Sequence, residues 1–484
     1  MKLSIVPEPL SIKMREGTSS KDTKIKEVIN FSMQAEEYRI DISEECIQLE
    51  SGSESGLVFA KATLDQIILQ YPEQLPCLTI KDNPAYEWRS FQIDCARHFI
   101  PVEELKKMIS MSAHFKLNKF HWHFSDDQGW RIECNKYPLL HEIGAMRKGD
   151  HFGQYHSDEV ETAYYTRTEV KEIVAFSKSL GVDVVPEVDM PGHVTAILAA
   201  YPNLSCFGNQ VEVGSSAGIY KDIFCPGKEE SFSFMEGLLE DLMELFPGKY
   251  FHIGGDETPK ERWKSCPSCQ KRMFEEGLST VQQLQGYFEN RAIAFLKSKG
   301  RTAIVWNEAA NGGNLDPDSV IQLWTDDKDQ VVKKHLENGG KVIVSPMMNS
   351  YCDYPYGFIS LNSMYDLKPL PAELSGAKEE SFIGIECLVW TEFIRDSNKL
   401  EEMCWPRFAA SAEVGWCGSR KPGYEDFRER MEIIYPVFEQ HGIKATSSEG
   451  WVPSEEETGK QIAAFKMNFS VAAMQEFKEA QQHI

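Results

Sequence analysis

The sequence lacks both a long apolar segment and an excess of positive charge. Its 51 lysines and arginines are outnumbered by 74 aspartates and glutamates, which gives a formal net charge of -23 at pH 7. A surface of that charge repels nucleic acids and anionic membranes. No apolar run approaches the roughly 18 residues that a membrane-spanning helix needs. We therefore expect neither a nucleic-acid partner nor insertion into a membrane.

The composition also lacks the signs of disorder. Hydrophobic residues make up 42% and charged residues 26% of the chain, which are ordinary values for a globular protein. The first stretch, MKLSIVPEPLSIKMREG, has no hydrophobic core of the kind a signal peptide needs, because Pro7 and Pro9 interrupt it. If the chain begins where its gene begins, we expect a cytoplasmic protein.

Twelve cysteines are scattered along the chain without the paired spacing of a metal site. Cys95, Cys134 and Cys387 fall in predicted buried strands and indicate reduced thiols in a reducing compartment. Cys266 and Cys269 form one C-x-x-C motif. A zinc site needs a second pair or nearby histidines at suitable spacing, and none is evident in the sequence. We therefore predict no metal site and no cofactor.

The pattern of hydrophobic residues divides the chain into three parts. Residues 1–82 alternate short apolar runs with polar turns around one helical stretch and predict a small α+β domain. Residues 83–445 contain eight β-branched or apolar runs, most of them separated by amphipathic helical patterns. This repetition predicts an α/β fold, namely a (β/α)8 TIM barrel. Residues 446–484 predict a short helical C-terminal extension.

Functional residues of such barrels lie at the carboxyl ends of the strands. The eight predicted strands are SFQIDCA, KFHWHFSD, VDVVPEVD, YFHIGGDE, TAIVWNEA, SVIQLW, KVIVSPMM and SFIGIECLVW. The fourth ends in two glycines followed by Asp256 and Glu257. Two adjacent carboxyl groups resist ionising together, so one of them tends to stay protonated at neutral pH. The pair therefore favours a general acid beside a carboxylate, as glycoside cleavage requires.

The second and third strands end in histidines and carboxylates. These residues are His121, His123, Asp126, Asp127, Glu187, Asp189 and His193. His121 and His123 share one strand face, which is a ligand pattern of metal-dependent hydrolases. Such sites need further ligands on several other strands, and the later strands offer aromatic residues instead. Packing of both histidines as buried polar groups is the other alternative.

The later strands end in aromatic residues near carboxylates. They are Trp306 with Glu308, Trp324, Tyr351 with Asp353, and Trp390 with Glu392. Sugar rings have apolar C–H faces and polar hydroxyl edges, so aromatic walls with a few carboxylates suit them. Arg89 on the first strand adds a planar guanidinium, whose N–H donors suit paired hydroxyls or a carboxylate.

These stretches resemble the β-N-acetylhexosaminidases of glycoside hydrolase family 20. The similarity covers roughly residues 85–430, and we expect it to extend into the N-terminal domain. Its motifs are WRSFQIDCARHFIP, NKFHWHFSDDQGWRIE, VPEVDMPGH, HIGGDE, VWNE, YCDY, LVWTE and PRFAASAE, in the order of the family. The resemblance implies a retaining exo-glycosidase that releases terminal β-linked GlcNAc or GalNAc from glycans or glycoconjugates.

The resemblance also implies a role for each candidate. Glu257 would be the general acid and later the base, and Asp256 would orient the acetamido group and stabilise an oxazolinium intermediate. Tyr351 would bond the acetamido oxygen, while Asp126 and His193 would support Glu257. The aromatic walls would be Trp306, Trp324 and Trp390, and the sugar hydroxyls would be held by Arg89, Asp353 and Glu392.

The same residues are compatible with two other functions. A sugar-binding protein could keep the fold without catalysis, although both acidic residues are present. A metal-dependent amide hydrolase could use the same barrel. The sequence does not decide between GlcNAc and GalNAc or identify the natural aglycone. A homodimer is the default expectation for a soluble oligomer.

Overall fold

The computed structural model describes residues 3–327, 330–369, 371, 374 and 376–469. Its N-terminal part is a five-stranded sheet covered by one helix. The strands are β1 (Ser11–Ser20), β2 (Ile25–Ile29), β3 (Tyr38–Ile42), β4 (Ile47–Ser51) and β5 (Gln74–Asp82), in the order β1-β5-β3-β4-β2, and the helix is α1 (Glu54–Gln70). Every second residue of β3 and β4 is buried, so one face of the sheet packs on α1.

Eight parallel strands then close a barrel. The first two are β6 (Trp88–Asp94) and β7 (Lys119–His123). Two hairpins follow β7, formed by β8 (Ser125–Asp126) with β9 (Gly129–Trp130) and β10 (Met146–Asp150) with β11 (Ser157–Thr162). The other six barrel strands are β12 (Asp183–Glu187), β13 (Tyr250–His252), β14 (Thr302–Trp306), β15 (Val320–Leu323), β16 (Lys341–Val344) and β17 (Phe382–Cys387). The predicted TIM barrel is confirmed, and all eight predicted runs form its strands.

Helices connect the strands around the outside of the barrel. The described helices are α2 (Val102–His114), α3 (Arg167–Ser179), α4 (Thr195–Ala200), α5 (Glu229–Met243), α6 (Glu261–Ser265), α7 (Pro267–Glu275), α8 (Val281–Ser298), α9 (Val331–Glu337), α10 (Met347–Ser350), α11 (Leu361–Tyr365), α12 (Ser397–Cys404), α13 (Arg407–Cys417), α14 (Tyr424–Ile434), α15 (Pro436–Gln440) and α16 (Glu455–Lys466). Thr166 and Glu169 form a capping box at the start of α3. Gly300 follows α8 with a φ of 73°, as expected for a glycine that ends a helix.

Short helical turns and one π-helical turn complete the described secondary structure. Their ranges are Leu140–Gly144 (π), Pro202–Leu204, Asn307–Gly312, Glu379–Ser381, Gly418–Arg420 and Ser448–Gly450. Within the part of the chain that the structure describes, no helix is both long and apolar enough to cross a bilayer.

The small sheet and the barrel share a buried polar contact at Asp82. This carboxylate accepts hydrogen bonds from the Tyr38 hydroxyl at 2.6 Å and from Trp416 Nε1 at 3.0 Å. Lys116 Nζ lies 3.4 Å from it, with both side chains fully buried. Tyr38 belongs to the sheet, whereas Lys116 and Trp416 belong to the barrel, so the contact fixes one part against the other.

The C-terminal extension contacts the open end of the barrel. Phe465 of α16 packs against Tyr354 and Phe393, with ring centroids 5.1 and 5.8 Å apart. The second predicted helix, beyond residue 470, lies outside the described residues. The boundaries 1–82, 83–445 and 446–484 stay predictions.

Candidate active site

The carboxyl ends of the barrel strands surround one cavity of about 1250 Å³. Ten of the eleven predicted site residues line it. These are Asp126, His193, Asp256, Glu257, Trp306, Trp324, Tyr351, Asp353, Trp390 and Glu392. The exception is Arg89.

Two glycines at the end of β13 bring the acidic pair into the cavity. Gly254 has a φ of 75°, and a Cβ atom there would lie 1.7 Å from the Asp189 carboxylate. The backbone N–H of Gly255 donates to that carboxylate at 3.1 Å. Glu257 itself has a φ of 41°, which is unusual for a residue with a side chain. Strained backbone of this kind is often found where function requires it.

Asp256 and Glu257 occupy unequal environments. Burial raises the pKa of the Glu257 carboxyl to about 7, with His193 opposing the rise and Asp256 adding to it. The backbone N–H of Glu257 donates to Glu308 Oε2 at 3.2 Å. Asp256 Oδ1 is buried and has no hydrogen-bond partner among the described residues. Glu257 is thus suited to donate a proton near neutral pH, and Asp256 presents a free acceptor to the cavity.

His193 connects the acidic pair to Asp126. Its Nδ1 lies 3.1 Å from Asp126 Oδ1, and its Nε2 lies 3.7 Å from Glu257 Oε2 and 3.8 Å from Asp256 Oδ2. Burial would lower the pKa of His193, but Asp126 and Asp189 outweigh it and hold that pKa well above its usual range. A positive imidazolium therefore stands beside the two carboxyl groups at neutral pH.

His121 and His123 lie in the barrel interior and do not line the cavity. His123 Nε2 is 2.8 Å from Asp126 Oδ2, and its other ring nitrogen bonds Glu187. His121 lies 2.8 Å from Glu386 and 3.1 Å from Glu187. Both histidines are thus buried partners of carboxylates, and Glu187, His123, Asp126 and His193 form a continuous polar chain up to the acidic pair.

Four aromatic side chains form a box on the other side of the cavity. The Tyr351 ring stacks on Trp324 with centroids 6.2 Å apart and an angle of 24°. Trp390 lies 6.2 Å from Tyr351 and 6.1 Å from Trp306. Trp306 Nε1 donates to Glu187 at 2.9 Å, and Trp324 Nε1 donates to Glu308 at 3.3 Å. These two bonds fix the Trp306 and Trp324 rings, which preorganises that part of the box for an apolar group.

Asp353 and Glu392 supply polar groups next to the box. Burial, followed by repulsion from Glu392, raises the pKa of the Asp353 carboxyl to about 8. Its Oδ1 is buried and has no hydrogen-bond partner within the described residues. Such an oxygen is costly to bury unless a ligand hydroxyl pairs with it.

The prediction that Arg89 binds a sugar is wrong. Arg89 is the second residue of β6, at the amino end of the barrel and opposite the cavity, and it is fully buried. It donates to the carbonyl oxygens of Lys116 at 2.9 Å and Tyr86 at 2.6 Å, and pairs with Glu36 at 2.6 Å. Its guanidinium therefore joins the small sheet to the barrel and serves the fold.

Arg97, rather than Arg89, is the arginine of this motif that reaches the cavity. It lines the cavity three residues after the end of β6. Its guanidinium lies 2.7 Å from Asp126 and 3.8 Å from Glu392, and it stands 5.1 Å from the Trp390 ring centre. The position after the carboxyl end of the strand was the indication in the sequence that could have identified it.

A β/α barrel that holds an acidic pair, one member of which has a raised pKa, beside an aromatic box is typical of a glycoside hydrolase. The family model "Glycosyl hydrolase family 20, catalytic domain" matches residues 86–419, and "Glycosyl hydrolase family 20, domain 2" matches residues 6–83. The chain belongs to glycosyl hydrolase family 20, as a glycosidase of the β-N-acetylhexosaminidase type. The predicted family is therefore confirmed.

Relatives from several bacteria support this placement. A β-hexosaminidase of Akkermansia muciniphila is 34% identical over 88% of this chain and 89% of its own. A β-hexosaminidase of Porphyromonas gingivalis is 36% identical over 77% of this chain, which spans about half (48%) of that longer protein. The crystal structure of an exo β-N-acetylglucosaminidase from Vibrio harveyi with N-acetylglucosamine is 27% identical, with a TM-score of 0.81 over 92% of this chain and 78% of its own.

Proposed function

We propose that this protein releases terminal non-reducing β-linked GlcNAc or GalNAc from glycans or glycoconjugates, using the acetamido group of the substrate as nucleophile. The observation that carries the proposal is the acidic pair: Glu257 is poised as an acid, and the adjacent Asp256 offers a free, buried oxygen. The Vibrio structure with bound N-acetylglucosamine supports the choice of sugar.

The position of Asp256 favours substrate assistance over a protein nucleophile. Ordinary retaining glycosidases attack from the ring face opposite the acid, with carboxyl groups about 5 Å apart. Asp256 directly follows Gly255 at the same strand end as the acid, so the two carboxyl groups enter the cavity from one side. Family 20 is a known exception that uses the substrate's own amide.

The aromatic box suits the acetamido methyl group. Trp306, Trp324 and Trp390 give it apolar walls, and the Tyr351 hydroxyl can donate to the amide oxygen. Asp256 Oδ1 can then accept from the amide N–H. These contacts hold the carbonyl oxygen in line with the anomeric carbon, where an intramolecular attack gains a large effective concentration.

The reaction proceeds in two steps. The amide oxygen attacks the anomeric carbon while Glu257 protonates the departing glycosidic oxygen, which yields a cyclic oxazolinium ion. The negative charge of Asp256 stabilises the positive charge of that ion in a site preorganised for it. Glu257, now ionised, takes a proton from water as the water opens the ring from the other face. Two inversions at the anomeric carbon give overall retention.

Hydrolysis of the p-nitrophenyl β-glycosides of GlcNAc, GalNAc and glucose tests this proposal. We expect release from the two N-acetyl sugars only, and the ratio of their kcat/KM values gives the preference between them. A thiazoline analogue of the intermediate should inhibit tightly. Comparable hydrolysis of the glucoside, or no inhibition by the thiazoline, would reject the assisted mechanism.

We further propose that the protein works in a reducing compartment, the cytoplasm. None of the twelve cysteines forms a disulfide, and ten of them are buried. Reduced cysteines persist where the redox poise is reducing. Cell fractionation with an antibody to the protein tests the location. Light scattering after size-exclusion chromatography tests the predicted homodimer.

A further inference from the structure

Four cysteines that are far apart in sequence meet beside the cavity. This four-cysteine cluster consists of Cys206, Cys225, Cys266 and Cys269, and their Sγ atoms all lie within 4.8 Å of one another. The Sγ atom of Cys225 is 3.5 Å from Cys269 and 3.8 Å from Cys266, and Cys206 is 3.8 Å from Cys269. Four sulfurs held tetrahedrally at about 2.3 Å from a zinc ion would be about 3.8 Å apart. A disulfide needs about 2.05 Å.

The backbone around the cluster is built for this close approach. A Cβ atom on Gly227 would lie 2.3 Å from the carbonyl carbon of Ser268 and 2.4 Å from the nitrogen of Cys269, so only glycine lets the two turns meet. This close approach brings Cys225, two residues before Gly227, to Cys266 and Cys269.

Secondary structure presents the ligands from fixed positions. Cys266 is the N-cap of α7, and Cys269 lies in the first turn of that helix. A β-bridge between Ser205 and Phe224 places Cys206 beside Cys225. Trp263 Nε1 donates to the Phe224 carbonyl at 2.8 Å and ties the two segments together.

The surroundings are those of a closed structural site. Cys225 and Cys269 are fully buried, Cys266 is 1% exposed, and Cys206 is partly buried. Ile223, Trp263 and Leu284 pack around them as an apolar shell. Structural zinc sites have four protein ligands and no open position, and four cysteines are one of their usual ligand sets.

We propose that the four-cysteine cluster binds one zinc ion as four thiolates and thereby clamps two loops at the cavity rim. On binding, four S–H groups release their protons to solvent and four Zn–S bonds form. The first loop, residues 188–228, brings Gly218, Ile219 and Lys221 to the cavity. The second, residues 253–280, contains the acidic pair near its start and brings Arg262 to the cavity. The zinc ion orders the outer part of the cavity without taking part in the reaction.

Metal analysis of the whole chain is the primary test, and it needs no activity assay. The protein is expressed in zinc-supplemented medium and purified without chelators. We expect one zinc ion per chain by mass spectrometry of the elements, and visible ligand-field absorption of tetrahedral cobalt thiolate after growth with cobalt. Metal-free protein whose four thiols react freely in the native state, a stoichiometric iron content, or disulfides among these cysteines would each overturn the proposal.

A pair of matched variants tests the ligand assignment and the clamp. Cys206→Ser removes one ligand, while Cys46→Ser changes another partly buried free cysteine outside the cluster. We expect only Cys206→Ser to lose zinc on dialysis, and only this variant to be cut faster by trypsin after the exposed Lys221. Full zinc retention by Cys206→Ser would remove Cys206 as a ligand. Zinc loss with unchanged cleavage would reject the clamp.

Discussion

At the residue scale, the protonation of Glu257 should set the alkaline limit of activity. Its pKa is raised to about 7, so the acid form dominates below that pH and is lost above it. A general acid must carry its proton in the free enzyme, so kcat/KM should fall tenfold per pH unit above about pH 7. The pH profile of kcat/KM with p-nitrophenyl β-GlcNAc measures this fall, which is the alkaline limb of the profile.

His193→Gln should move that limb to higher pH, because the positive His193 holds the pKa of Glu257 down. Removing this charge raises the pKa of Glu257 further above 7, even as the maximal rate falls. His151→Gln, which changes a histidine at the outer cavity wall, is the control and should leave the limb in place. A limb that moves to lower pH, or stays fixed, would mean that His193 is not the charged partner of Glu257.

Replacing Arg97 should lower catalytic efficiency, whereas replacing Arg89 should lower stability. Arg97→Ala removes the guanidinium that lies between the Asp126 and Glu392 carboxylates in the cavity, so kcat/KM should fall by roughly 10- to 150-fold, or about 1.5–3 kcal/mol. Arg89→Ala should instead lower the free energy of unfolding by about 3 kcal/mol, because it leaves polar groups at the domain contact unpaired, with KM unchanged. Kinetics at a temperature where both variants are folded, together with urea unfolding, separate the two effects. Equal kinetic defects would contradict the placement of Arg89.

The misassignment of Arg89 shows where residue-level prediction fails. Both arginines fall within one motif, eight residues apart, and only the direction of the strand decides which one reaches the cavity. The acidic pair could be predicted because it directly follows a buried strand. The hydrogen bond from the Glu257 N–H to Glu308 could not, because it joins the ends of two strands that are distant in sequence.

At the scale of elements, position 254 in the turn after β13 should tolerate no side chain. Gly254→Ala would suffer the cost of a left-handed alanine, about 1–2 kcal/mol, and also a clash with the Asp189 carboxylate. Gly277→Ala is the matched control, since Gly277 has a φ of 67° with nothing within 4 Å of its Cβ position. We expect Gly254→Ala to lower both the free energy of unfolding in urea and kcat by more than Gly277→Ala does. Equal losses of stability would mean that the clash is relieved without cost.

The barrel strands could be predicted because each is a short apolar run bounded by polar residues. The loops could not, since their course depends on contacts between distant segments. Cys206 and Cys225 illustrate this: neither has a cysteine neighbour in sequence, and only folding brings them to the C-x-x-C motif. Phe465 and Phe469 line the cavity as well, although their segment looks like an appendage in the sequence.

At the scale of the whole molecule, Asp82 should couple the small sheet to the barrel. Asp82→Ala leaves Lys116 buried without its counter-charge, and breaking such a pair costs about 3–5 kcal/mol. Asp22→Ala, at an exposed turn of the small sheet, should change stability by less than about 0.5 kcal/mol. Urea unfolding followed by tryptophan fluorescence measures both. A small loss for Asp82→Ala would show that the contact does not stabilise the fold.

In the proposed mechanism, the substrate's acetamido oxygen attacks the anomeric carbon. Replacing the methyl hydrogens of p-nitrophenyl β-GlcNAc one by one with fluorine withdraws electrons from that oxygen and changes the size of the group little. If the oxygen is the nucleophile, log kcat/KM should fall steeply and regularly from the acetamide to the trifluoroacetamide. If it stays nearly constant along the series, the nucleophile lies on the protein, and the roles given to Asp256 and Tyr351 are wrong.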